Sequence, residues 1–278
     1  SYDSIAGMLQ FPEAVFNDAA TALRGEALAS VFGDICAVKR SGPGLPAINQ
    51  PGIAAFIRGL EQLLLDMYDE PEGLHALLRF ITDGLLSLLR QLENSGRLTL
   101  NNKNHYVDSG GNGYTGKLPA GGYNGAARLK DLWGFGLAQE YSDVSPDMHA
   151  EFGFRYQAEA MALFGANAYG CCEPLTYKFE AAKKLLPNLR RVSVSPWCDA
   201  RRAAEALGEQ YILSLKPNPA IVLLSDDLET VRGHVRALLE ATKGCYAEVF
   251  LKDCMRLKGK EQRLVDFVNI TRQEIGRL

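Results

Sequence analysis

Several familiar signatures are missing from this 278-residue sequence. There is no excess of charge: 30 Lys and Arg stand against 33 Asp and Glu, a formal net charge of -3. Nothing global therefore recommends nucleic acid or an anionic membrane as a partner. There is no long uninterrupted apolar run either. The most apolar helical stretch, "GLHALLRFITDGLLSLLRQLENSG" (73–96), is broken by Arg79, Asp83 and Arg90, which excludes a membrane span. Its apolar residues Leu74, Leu77, Leu78, Ile81, Leu85, Leu88 and Leu92 share one helical face, so a packed surface helix is expected.

Cysteines number six, none in CxxC spacing, and Cys36, Cys245 and Cys254 are scattered. A disulfide framework is not expected; reduced thiols and a cytoplasmic location are. The start, "SYDSIAGMLQ", has no initiating Met, basic segment or long apolar core, so it does not read as a secretory signal. A Gly-rich stretch, "GGNGYTGKLPAGGYNG" (110–125), lacks both the GK[ST] ending of a phosphate loop and GxGxxG spacing, and reads as a long loop. Internal repeats and linkers are absent, and one domain spanning 1–278 is expected.

What is present is alternation. Short β-branched or apolar runs occur at 97–101, 132–139, 166–171, 190–196, 210–217 and 245–253, with an earlier one at 32–40. Helical patterns separate the later ones, opening on Ser145, Asp199 or Asp226-Asp227 and closing near Gly165, Gly208 and Gly244. Repeated βα units predict an α/β fold with a parallel sheet. Spacing alone fits either an open sheet or a closed eight-stranded barrel.

In parallel α/β folds function gathers at the carboxyl ends of the strands. These ends offer His105, then Gln139, then Cys171, Cys172 and Glu173, then Trp197 and Asp199, then Lys216 and Asn218, then Lys252, Asp253 and Cys254. Cys171 and Cys172 are adjacent, and neighbouring strand residues point to opposite faces. Both reach one site only if the strand ends there, and the break is expected between them. Three thiols offer soft metal ligands, although their spacing is not that of a zinc knuckle. Glu173, Asp199 and Asp253 are candidate acids or bases. His105, Gln139, Trp197, Lys216 and Asn218 are candidate substrate contacts. His75, His149 and His234 fall in helical patterns and read as packing or surface residues.

The ordered set "DLWGFGLAQEYSDVSPDMHAEFGFRY", "NAYGCCEP", "VSVSPWCD", "LSLKPNPA" and "VFLKD" resembles the uroporphyrinogen decarboxylase superfamily, in the branch beside the corrinoid-dependent methyltransferases. The resemblance runs from about residue 60 to the C-terminus. It implies a (β/α)8 TIM-type barrel, truncated at its N-terminus relative to the family. It implies a methyltransferase that works with a corrinoid protein on a small methylated compound or a thiol acceptor. The zinc enzymes of the superfamily present His-x-Cys and a later Cys; here Cys171 and Cys254 match the cysteines, while Tyr169 stands in place of the histidine. Zinc held by Cys171, Cys172 and Cys254 is thus an expectation of the resemblance. A decarboxylase of a small acid or tetrapyrrole is the first alternative, although the family's arginine-rich segment has no counterpart in residues 1–60. A non-catalytic corrinoid- or tetrapyrrole-binding protein is the second. The corrinoid-binding signature Asp-x-His-x-x-Gly is absent, so the corrinoid would belong to a partner.

Overall fold

The computed structural model describes residue 2 and residues 7–107, 109, 111–257 and 259–278. Five strands form one sheet in the order β1 (Trp133–Gly136), β2 (Ala166–Tyr169), β3 (Leu189–Val194), β4 (Ile212–Leu215) and β5 (Tyr246–Val249). Each pairs in parallel with its successor in sequence. Right-handed crossovers between consecutive parallel strands place all intervening helices on the same face of the sheet.

The side chains agree with that winding. Val192, Val194, Leu213 and Leu215 join the main core with Phe179, Ala203, Leu207, Val231 and Leu239. Those partners lie on α7 (Phe179–Leu185), α8 (Ala200–Leu207) and α10 (Leu228–Ala241). The opposite, inner face is covered by chain preceding β1: Val107 and Leu118 pack on Trp133, Phe135, Ala166 and Ala168.

The N-terminal half is helical. It contains α1 (Asp18–Phe32), α2 (Gln50–Arg58), α3 (Leu60–Asp69) and α4 (Pro71–Asn94). The stripe on α4 is buried as its periodicity predicts, with Leu89 rather than Leu88 at its centre. Between β1 and β2 the chain forms α5 (Pro146–His149), a π-turn (Ala150–Phe154) and α6 (Arg155–Met161). After β4 come α9 (Pro219–Leu224) and α10, and α11 (Gln262–Ile275) follows β5.

Two expected strands are not strands. Of residues 32–40, Phe32 ends α1, 33–36 turn and 37–40 are irregular; the Ala-, Leu- and Glu-rich stretch before them favours the helix that reaches Phe32. Residues 97–101 lie at the edge of β1 but pair through a side chain: the Asn101 amide accepts from Trp133 N at 2.9 Å and donates to Trp133 O at 3.0 Å. Farther along the same edge, Ile48 makes a parallel bridge to Gly136, with Ile48 N to Phe135 O at 2.8 Å. Pro43 and Pro46 precede this bridge and withhold the donors that a longer ladder needs. No helix among the described residues is long and apolar enough to cross a membrane.

Candidate active site

The adjacent cysteines sit just past the carboxyl end of β2. The strand ends at Tyr169, two residues before the pair and not between its members. Gly170 turns the chain at φ +94°, and a Cβ there would meet Leu175 at 2.6 Å. Only glycine makes that turn without strain. Glu173 then pins the loop, its carboxylate accepting from Cys171 N at 2.8 Å and from Ala138 N, beyond the end of β1, at 3.1 Å. The side chain is buried and both oxygens serve main-chain donors, so Glu173 holds two strand ends together.

The pinned loop presents both sulfurs to Lys252. Its Nζ lies 3.0 Å from Cys171 Sγ and 3.0 Å from Cys172 Sγ, which are 3.7 Å apart. Asp253, at φ +61°, stands 3.7 Å from Cys172 Sγ. Burial works against the charge on Lys252, yet the sulfurs overcome it and hold its pKa well above the usual lysine range. For Cys171 burial is the largest influence and pushes the thiol up, with Ser109 and Lys252 pulling it back. The arrangement favours one ammonium serving one thiolate, because a second thiolate in contact with the first would be repelled.

Below the sulfurs, strand alternation lines the inner face with polar groups. Ser193 donates to Cys171 O at 2.8 Å and accepts from Lys216 Nζ at 2.7 Å. Lys216 is 1% exposed, and burial, aided by the charge of Lys252, lowers its pKa to about 8. Arg191, also buried, pairs with Glu248 at 2.9 Å, and its guanidinium lies 4.7 Å above the Trp133 ring. Burial lowers the Arg191 pKa and raises that of Glu248, the latter opposed by Arg191.

Other expected site residues lie elsewhere. Asp199 caps α8, its carboxylate accepting from Arg201 N at 3.0 Å and Arg202 N at 3.1 Å. Asn218 caps α9 through Ala220 N at 2.9 Å, and its own N–H donates to His234 Nε2. Trp197 is 68% exposed on the loop after β3. Gln139 lines a separate cavity of about 480 Å³ with Met67, Tyr68 and Met148. His105 lines another, of about 500 Å³, along the edge of β1 beside Leu100 and Trp133. Cys254 Sγ turns to the Lys252 carbonyl at 3.4 Å.

These placements bear on zinc. Tyr169 faces the helices, its hydroxyl donating to Gln157 at 2.9 Å and lying 3.1 Å from His149 Nε2. Burial holds the His149 pKa down to about 3, and the ring packs among Tyr141, Phe154 and Tyr169. Among the described residues no group of three or more His, Cys, Asp or Glu side chains is placed to hold a metal ion. Two sulfurs with an ammonium between them do not complete the tetrahedral donor set that zinc needs.

Arg191, Ser193 and Glu248 are the polar inner-face side chains that reading the strand ends passed over. Their signal is a period-two alternation within the strands: "RVSVS", "LSLK" and "EVFLK" place Arg191, Ser193, Ser195, Ser214, Lys216, Glu248 and Lys252 on one face. No family model matches the chain, and no curated protein matches it significantly.

Proposed function

We propose that this chain is an enzyme of the uroporphyrinogen decarboxylase superfamily that moves a methyl group at the Cys171–Cys172 pair, in concert with a corrinoid protein. The observation that carries the reading is the Lys252 ammonium, 3.0 Å from both sulfurs at the carboxyl end of a parallel sheet. A cation at that distance stabilises a thiolate, the nucleophilic form of cysteine. Lys252 thus supplies the positive charge that zinc supplies in other thiolate chemistry. The corrinoid, when its carrier protein docks, supplies the methyl carrier. Tyr106, Tyr177, Trp197 and Met255 are exposed apolar side chains on loops around the strand ends and suit such a docking partner.

The accompanying fold reading is a (β/α)8 barrel. Sequential parallel order, helices on one face and the Ile48 bridge beyond β1 support it, because a doubly wound sheet reverses its order to cover both faces.

Incubation with methylcobalamin and a panel of thiols, methoxylated aromatics and methylamines tests the activity. We expect methyl transfer with at least one compound, lost in both Cys171→Ser and Cys172→Ser. No transfer across the panel, or transfer that survives both substitutions, refutes it. A second reading, decarboxylation of a small acid, is favoured by Lys216, whose two hydrogen bonds both go to serine hydroxyls. Release of carbon dioxide from a small acid, with no methyl transfer, would select that reading.

A further inference from the structure

We infer that Arg191 and Lys216, on the inner faces of β3 and β4, form a subsite for a carboxylate on the substrate, so that the compounds this site accepts are small organic acids. The inference rests on the reading of the inner face as the substrate site, and it names the substrate class.

The argument is one of charge. Arg191 and Lys216 are buried, at 2% and 1% exposure, and Lys252 lies beside them at the thiol pair. Glu248 pairs with Arg191, while Asp253, 56% exposed, pairs with Lys252 at 3.7 Å beside the sulfurs. Glu173, the nearest other acid in sequence to the thiols, spends both oxygens on main-chain N–H groups. Lys252 is balanced at the mouth by the thiol pair and Asp253, but the two buried cations, Arg191 and Lys216, face Glu248 alone, a net charge of about +1 in a water-poor interior and a costly state unless an anion joins it. Neutral oxygens occupy the positions an anion would take. Asn112 O accepts from Arg191 Nη2, and the Ser109 hydroxyl lies 3.4 Å from Lys252 Nζ. Arg191 Nη1 is buried with no hydrogen-bond partner among the described residues, and its Nε faces Glu248 at 2.9 Å without hydrogen-bond alignment.

A singly charged group fits that balance, whereas a phosphate dianion overshoots it. A guanidinium matches the planar carboxylate fork, which the ammonium of Lys216 supplements as a point charge. Entry requires residues 111–113 to give way. Gly111, at φ +86°, lies so close to the Glu248 carboxylate that a Cβ there would meet it at 2.4 Å, and the covering segment is held by Arg191 donating to Asn112 O and by Trp133 Nε1 donating to Gly113 O at 2.9 Å.

Trp133 makes the test direct. The sequence has two tryptophans, so Trp197→Phe leaves Trp133, under Arg191, as the sole indole reporter. Titration of that protein with acetate, propionate, malonate, succinate and benzoate, at constant ionic strength, should change its fluorescence saturably for at least one acid. Arg191→Met and Lys216→Met should each weaken that binding tenfold or more, and Arg191→Lys should recover part of it. If Arg191→Met does not fold, Lys216→Met decides. No saturable response to any acid overturns the inference, as does an equal response to inorganic phosphate or an affinity unchanged in Lys216→Met. Because the readout is binding, methyl transfer without carboxylate binding would sink this inference alone, and binding without methyl transfer would sink the proposed reaction alone.

Discussion

The inner face of the sheet changes character between its second and third strands. Over β1 and β2 it is apolar, with Trp133, Phe135, Leu137, Ala166 and Ala168 packed against Val107 and Leu118. Over β3 to β5 the same face carries Arg191, Ser193, Ser214, Lys216, Glu248 and Lys252, while Val192, Val194, Leu213 and Leu215 hold the outer face. One half therefore contributes stability and the other spends it. Burying apolar surface is favourable at about 25 cal/mol per Å², whereas burying charge is favourable only when it is well paired. A protein that needed this sheet only as scaffold would gain by filling both halves alike, and the polar half is where the candidate site lies.

The largest effect is expected in the apolar half. Trp133→Ala removes a side chain 1% exposed together with its hydrogen bond to Gly113, and should lower stability by about 3–5 kcal/mol in urea unfolding. A loss below about 1 kcal/mol would mean that the covering segment packs without it.

Lys216→Met should do the opposite. The folded-state pKa of Lys216, about 8, lies below the unfolded value near 10.5. Below about pH 8 both states are protonated and the buried ammonium is a constant cost. Between about pH 8 and 10.5 the unfolded chain binds more protons, so this group's contribution to stability rises with pH. We expect Lys216→Met to gain about 1–2 kcal/mol at pH 7 and to lack that alkaline rise, in urea unfolding at a series of pH values. Equal pH dependence in both proteins would show that Lys216 is not desolvated.

Lys252→Met acts on reactivity. Without the ammonium, Cys171 keeps the upward push of burial and loses a compensating charge. The pH midpoint of its alkylation by iodoacetamide, followed by mass spectrometry, should rise by about one to two units. An unchanged midpoint would leave the thiol pair without an activating group.

How much of this was readable beforehand follows from what each residue does locally. The five strands and the long α4 announced themselves through periodicity, which local sequence carries. The cysteine pair was placed at the end of β2 by the rule that adjacent strand side chains diverge. The N-terminal segment misled because 32–40 carries strand-like apolar residues, yet α1 runs to Phe32 and residues 33–40 find no strand partner among the described residues. The edge of β1 is finished by the Asn101 side chain, a contact across 32 residues that no local pattern reveals. Glu173 looked like an acid or base by residue type; only three dimensions show its oxygens taken by Ala138 and Cys171. The polar inner face was written in the alternation of β3 to β5, but reading only the strand ends passed over Arg191 and Glu248.

The smallest effect tests the border between site and scaffold. Asp199 lies on the loop that follows the carboxyl end of β3, one strand after the thiol loop, and by residue type it qualifies as a catalytic carboxylate. Its geometry is that of a helix cap: it accepts from Arg201 N and Arg202 N at the start of α8, and its own N–H donates to Thr176. Replacing such a cap with alanine costs about 1 kcal/mol. Asp199→Ala should therefore lower the urea midpoint slightly, while leaving Cys171 alkylation and carboxylate binding at wild-type values. Asp199→Asn, which keeps an accepting oxygen, should recover most of the stability. A cap is rescued by any good acceptor, whereas a proton-transferring carboxylate is not. If Asp199→Asn is as stable as wild type yet loses turnover by a hundredfold or more, the carboxylate does chemistry, and the active site reaches beyond the inner face to the helix ends.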